Sequence, residues 1–247
     1  MCPRIFLALA IFCAGLKAQV AIVNAASFRG DQAVSAGSWV AAFGTFSGVP
    51  TTTATSFPLP KTLGGVTVMV DGVAAPLLDV RSTQLTFLMP YASSVGLRPV
   101  QITTSAGSLT ASVRVISTSP GLFTKDTQTP PKGAVLNQDG FTENTSATPA
   151  KRGEVISIYG TGPGALSRQV QDGAAPGANP LATSSSTPQV YIGGVEAQVQ
   201  FSGLNPNAPG LWQINAFVPD RAFITGRVPV RVFLDGVDSN EVTVFVQ

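Results

Sequence analysis

One pattern of residues occurs twice in this chain, in the same order, and that constrains its fold more than any other feature. Ala21-Ile22-Val23-Asn24 followed by Phe28 returns as Ala134-Val135-Leu136-Asn137 followed by Phe141. The run from Gly37 to Thr45 (GSWVAAFGT) returns from Gly153 to Thr161 (GEVISIYGT), and VMVDGV from Val68 returns as VYIGGV from Val190. Gln84-Leu85 with Met89-Pro90 returns as Gln213-Ile214 with Val218-Pro219. Gly96, Pro99 and Val100 return as Gly226, Pro229 and Val230. The spacing between matches widens along the chain, and each increment falls in a Gly-, Pro-, Ser- or Thr-rich stretch, where insertions are tolerated. Ordered matches of this kind mark an internal duplication.

Within each copy the apolar residues recur with period 2. Val228, Val230, Val232 and Leu234 alternate with Arg227, Pro229, Arg231 and Phe233; Val66, Val68 and Val70 alternate with Thr67 and Met69. Val242, Val244 and Val246 alternate with Glu241, Thr243 and Phe245. Such alternation predicts strands with one buried face. Asp71-Gly72, Gly193-Gly194 and Asp235-Gly236 are turn signals between them. No stretch carries a helical stripe, and 25 Gly with 19 Pro exclude a helical bundle. Each copy therefore predicts about seven short strands in roughly 100 residues, an immunoglobulin-like sandwich. The expected organisation is a first sandwich over 19–117, a linker over 118–132 and a second sandwich over 133–247. The equivalent stretches 49–61 and 165–187 are expected to be mobile loops.

The first 18 residues read as a signal peptide: Arg4 is the positive start, Ile5 to Gly15 is an uncharged, mostly apolar run, and Ala18 offers a small residue for cleavage before Gln19. The run is shorter than the ~20 residues that span a bilayer. Both cysteines, Cys2 and Cys13, leave with it, so the mature fold is held by its core alone. Loss of Arg4 and Lys17 lowers Lys+Arg from 15 to equality with the 13 Asp+Glu. A neutral mature chain gives no electrostatic case for nucleic acid. The chain has no histidine, which excludes Ser-His-Asp and Cys-His catalysis and any His-containing metal site. The expected location is secreted or cell-surface, with no membrane span after cleavage and no cofactor.

Several strings together resemble a family of uncharacterised C-terminal domains of secreted acidobacterial proteins. They are Asn24-Ala25-Ala26-Ser27-Phe28, Pro120-Gly121-Leu122-Phe123, Asn137-Gln138-Asp139-Gly140, Pro149-Ala150 and Gly210-Leu211-Trp212-Gln213-Ile214-Asn215. The resemblance covers nearly the whole mature chain. It implies tandem IPT/TIG-type immunoglobulin-like domains acting as extracellular binding or spacer modules, and it carries no catalytic residue.

Other candidate motifs favour structural readings. Gly160-Thr161-Gly162-Pro163-Gly164 superficially matches a phosphate loop, but such a loop must open a helix, and here Pro163 and a Ser-, Thr- and Pro-rich stretch follow. Asn137 to Gly140 resembles the start of a calcium loop, yet the twelfth position is Thr148 where a Glu is needed. Asn144-Thr145-Ser146 is a glycosylation sequon. The acids are scattered at turns, so a glycosidase-type pair in an interdomain cleft is the alternative reading, not the leading one. The leading reading is a non-enzymatic module that recognises a protein or polysaccharide at the cell surface. Its candidate binding patch is Tyr191, Arg231, Phe233 and Phe245, which share the outward parity of the second copy. A hairpin turn over 235–240 would set Phe233 opposite Thr243 and Arg231 opposite Phe245. The patch is expected to be open unless the first sandwich or the 165–187 loop covers it.

Overall fold

The structure, a computed structural model, describes residues 20–247; the signal-peptide reading and both cysteines lie outside these residues. The first copy folds into β1 (Ala21–Asn24), β2 (Val34–Ser35), β3 (Trp39–Phe43), β4 (Thr52–Thr53), β5 (Thr67–Val70), β6 (Val73–Ala74), β7 (Leu77–Val80), β8 (Gln84–Leu88), β9 (Gly96–Thr104) and β10 (Gly107–Ile116). They assemble as β1-β3-β8-β7-β4 facing β2-β10-β9-β5-β6. Within these sheets β2 alone runs parallel to its neighbour, β10. This is the strand path of an immunoglobulin-like sandwich.

The second copy folds into β11 (Gly121–Leu122), β12 (Val135–Leu136), β13 (Val155–Thr161), β14 (Gln189–Ile192), β15 (Val195–Ala197), β16 (Val199–Leu204), β17 (Trp212–Phe217), β18 (Gly226–Leu234), β19 (Val237–Asp238) and β20 (Val242–Val246). Its path repeats the first. β12 lies on β13 as β1 lies on β3, and β14-β18-β20 repeats β5-β9-β10. Ala150 bridges Val246 in parallel, as β2 meets β10, and Thr183 bridges Gly203, as β4 meets β7. No helix and no sheet shared by the two copies occurs among the described residues.

The alternating residues make the cores. Val40, Val68, Val70, Leu85, Phe87, Val100 and Ile102 fill the first sandwich. Ile156, Ile158, Val190, Ile192, Trp212, Ile214, Val230, Val232 and Val244 fill the second. Each large side chain so buried is worth about 1.5–3 kcal/mol of transfer free energy. A third apolar cluster, Val23, Ala25, Trp39, Ala41, Leu59 and Leu88, lies on the outer face of the β1-β3-β8 sheet. It is buried because the second sandwich docks there. Trp39 N–H donates to Thr161 Oγ1 at 2.8 Å and its indole Nε1–H to Pro209 O at 3.0 Å. Tyr91 N–H donates to Asp172 Oδ1 at 2.9 Å.

Three expectations differ from what forms. The 118–132 stretch is not a tether over its first half. Thr118 and Ser119 are buried, β11 pairs with β13, and the Asn240 amide bonds Leu122 in both directions. The glycine run explains why: at Gly162, with φ +84°, any Cβ would overlap the Ser119 carbonyl, so only glycine lets the crossing chain lie this close. Gly160 to Gly164 is a docking seam and opens no helix.

The two loops expected to be mobile are bonded instead. Leu59 N–H, from 49–61, donates to Gly173 O, from 165–187, at 2.8 Å, so the equivalent loops of the two copies meet across the junction.

The third difference is the β18–β20 register. Phe233 faces Asp238 and Phe245 faces Arg227. Asp235 and Gly236 both have positive φ, which closes a two-residue turn directly after Leu234. A register slip between β19 and the start of β20 then sets the remaining pairs, ending with Val230 opposite Val242.

Candidate binding surfaces

The outward residues of the second sandwich lie where their parity places them, but not as one cluster. Tyr191 pairs directly with Arg231 across β14 and β18, and Gln189 pairs with Phe233, so Tyr191, Arg231 and Phe233 are neighbours. The Arg231 side chain is 59% exposed and its Nε donates to Glu241 at 2.8 Å. Phe233, Tyr191 and Phe245 are half-buried. Phe245 sits two pairs further along, beyond the Pro229–Thr243 pair, and is separated from Arg231 by the shifted register. The 131–150 segment lines that edge: Thr243 N–H donates to Pro131 O, and Asn144 bonds the Phe245 backbone. Asn144 itself is buried and fully engaged, which closes the sequon to a glycan.

A second aromatic surface, which the outward parity of one strand hinted at and the sequence reading passed over, opens on the first sandwich. Phe43 on β3 faces Gln84 on β8, and Ala41 faces Thr86. Phe28 stands over Phe43 with ring centroids 6.0 Å apart and tilted by 57°. Phe28, Phe57, Phe123, Leu78, Gln84 and Thr86 line a cleft of about 300 Å³ whose floor is Trp39 and whose far wall is Ala208, Pro209 and Leu211. Phe28 and Phe57 are each about half exposed, at 51% and 50%. The turn carrying Phe28 is built by Asn24, whose Oδ1 accepts the Ala26 and Ser27 amides while its Nδ2 donates to Ser119 O. The cleft draws its walls from β3, β8, the 49–61 loop, the crossing segment and the second sandwich. No period or motif joins those residues in sequence, and they meet only through docking.

A larger groove of about 870 Å³ lies at the other side of the junction, lined by Tyr91, Ser93, Val95, Thr118, Arg168, Asp172, Ser185 and Asp235 among others. The Tyr91 hydroxyl is buried without a hydrogen-bond partner, and burial, then the Asp172 charge, push its pKa up. Two carboxylates line this groove, but Asp172 already accepts the Tyr91 amide. Elsewhere Asp31, Asp139 and Glu143 are held below the ordinary carboxylate pKa by Arg29, Thr142 and Lys132 respectively, and none of the three lines the groove. Asp139 is a turn cap whose carboxylate accepts the Phe141 and Thr142 amides. No group of three or more metal-ligating side chains occurs among the described residues, and no helix among them is long and apolar enough to cross a membrane.

No family model matches the chain, and no curated protein matches it in sequence. Among solved structures it is similar to the SGBP-B of the Bacteroides ovatus mixed-linkage glucan utilization locus, in complex with a mixed-linkage heptasaccharide. That match has 14% identity and a TM-score of 0.34, covering 87% of this chain and 42% of that one. The chain thus spans under half the length of that protein. It is also similar to titin Ig tandem domains, at 9% identity and a TM-score of 0.23, covering 94% of this chain and 96% of that one. The titin domains z1z2 in complex with telethonin match at 13% identity and a TM-score of 0.21, covering 87% and 89%. The class the strand paths define is a tandem of immunoglobulin-like β-sandwiches.

Proposed function

We propose that the protein is a secreted or cell-surface module of the IPT/TIG type that acts by binding or spacing, without catalysis, and recognises a protein or polysaccharide partner. Resemblance of the strings at 24–28, 120–123, 137–140, 149–150 and 210–215 to secreted acidobacterial domains supports the location and the type. The observation that carries the binding reading is the display of Tyr191, Arg231 and Phe233 as adjacent, partly exposed side chains on one outer sheet face. Stiff rings beside a guanidinium give large contact area at low entropic cost, with cation–π stacking available to a ligand ring or side chain. Phe245 contributes a separate contact further along the face.

Arrays of glycans, peptidoglycan fragments and purified surface proteins test this with residues 19–247. The expected result is retention of at least one class, weakened by Phe233→Ala, with the retained polymer recovered intact. Release of shortened fragments would overturn the non-catalytic reading. Retention unchanged in Phe233→Ala would remove this face from the account.

A further inference from the structure

We infer that the cleft at the junction of the two sandwiches is a separate binding site for a neutral polysaccharide. It does not depend on the second-sandwich face. Three independent features point to it.

The first is backbone strain. Phe28 has φ +52°, the left-handed region that a bulky L-residue avoids. In the second copy the turn after Asn137 puts Gly140 at positive φ instead, with Phe141 following outside that region. The first copy therefore holds a bulky ring in a conformation glycine would adopt freely. Burial does not compensate, since the ring remains 51% exposed. A strained residue held by its surroundings and presented to solvent is an outlier that points to use.

The second is the chemistry of the lining. The walls are the rings of Phe28, Phe57 and Phe123 with Trp39 beneath, and the polar groups are the Gln84 amide and the Thr86 hydroxyl. These two touch each other at 3.4 Å, a long contact that leaves the Gln84 carbonyl oxygen free to accept among the described residues. No charged side chain among the described residues lines the cleft. A sugar ring has an apolar C–H face and a rim of neutral hydroxyls. Aromatic walls suit the face, and one amide with one hydroxyl suits the rim. An anionic polymer would find no cation to meet its charge, and a charged peptide would leave its charges unpaired.

The third is shape. About 300 Å³ is at the lower end of the range for small-ligand sites. The cleft is fixed by Trp39, whose indole N–H is bonded to Pro209 O of the opposite wall.

Affinity electrophoresis of the exported protein tests the inference. The gels contain hydroxyethylcellulose, galactomannan or arabinoxylan, against alginate and polygalacturonate. The expected result is retardation by at least one neutral polymer and by neither anionic one. Phe28→Gly, which removes both ring and strain, and Phe57→Ala should each weaken retardation at least tenfold. Phe28→Gly should melt no lower than the parent, so its loss of binding cannot be loss of fold. Phe141→Ala, at a ring 79% exposed on the other copy, should bind as the parent does. Retardation by no neutral polymer, or by the anionic ones, would overturn the inference. So would retardation unaffected at Phe28 and Phe57. Loss in Phe233→Ala alone would move the glycan to the second sandwich, overturning the cleft while leaving the binding-module reading standing. A concentration-dependent dimer abolished by Phe28→Gly would name a second copy as the occupant and overturn it too.

Discussion

At the scale of single residues, the fold separates side chains that hold it from those it displays. Val230 is fully buried between Ile192 and Val242 in the second core. Val230→Asp strands a carboxylate there and should cost at least about 3 kcal/mol, read as a large fall in the midpoint of chemical denaturation. Exposed Phe223→Ala, by contrast, should change stability by no more than about 0.5 kcal/mol. Gly162 belongs to the first class for a backbone reason. Gly162→Ala puts a methyl group into the Ser119 carbonyl, and the expected outcome is a lower melting temperature with both sandwiches still β-rich by circular dichroism. The burial of Val230 was readable from alternation, because a period of 2 directly reports which face of a strand is covered. Phe28 was visible only as a repeated letter, since nothing in its neighbours' sequence reports a backbone angle.

At the scale of elements, period and order carry over well and register does not. The strand succession and the β14-β18-β20 neighbourhood follow from the duplicated pattern. The Asp235-Gly236 pair was visible as a turn signal, but reading the turn as six residues displaced Phe245 from its partner. Backbone preference at two positions decided the outcome over side-chain clustering. Element edges also carry the pH dependence. Glu143 is held below its ordinary pKa first by the Lys132 hydrogen bond and further by Lys125 and Lys132 charge, and it ties 125–132 to the start of the next turn. Its folded pKa lies below its unfolded value. The contribution is therefore present above the unfolded pKa and is lost as pH falls through the folded one. Amide protection in 125–132, taken relative to the intrinsic exchange rate at each pH, should fall on acidification through that window, and Glu143→Gln should show the lowered protection already at neutral pH. Protection independent of both pH and Glu143 would contradict the tie.

At the scale of the whole molecule, the crossing segment is pinned where a linker was expected. Protease nicking at the exposed residues 127–129 should leave the two fragments associated in native gel filtration, because β11 stays with β13 and the docking contacts lie elsewhere. The docked arrangement was not readable in sequence: its contacts join Trp39 to Thr161 and Pro209, Tyr91 to Asp172, and Leu59 to Gly173, positions linked by no shared motif. Both the cleft and its floor depend on that docking. The chain has two tryptophans, and each indole N–H reports one half of the account. Trp212 Nε1–H donates to Ser202 Oγ inside the second sandwich at 2.9 Å, whereas Trp39 Nε1–H donates to Pro209 O between the sandwiches at 3.0 Å. Hydrogen exchange of the two indole protons, followed by NMR on the intact mature protein, tests the docking directly. Slow exchange at both is predicted; rapid exchange at Trp39 with Trp212 still protected would show two sandwiches that separate freely and would contradict it.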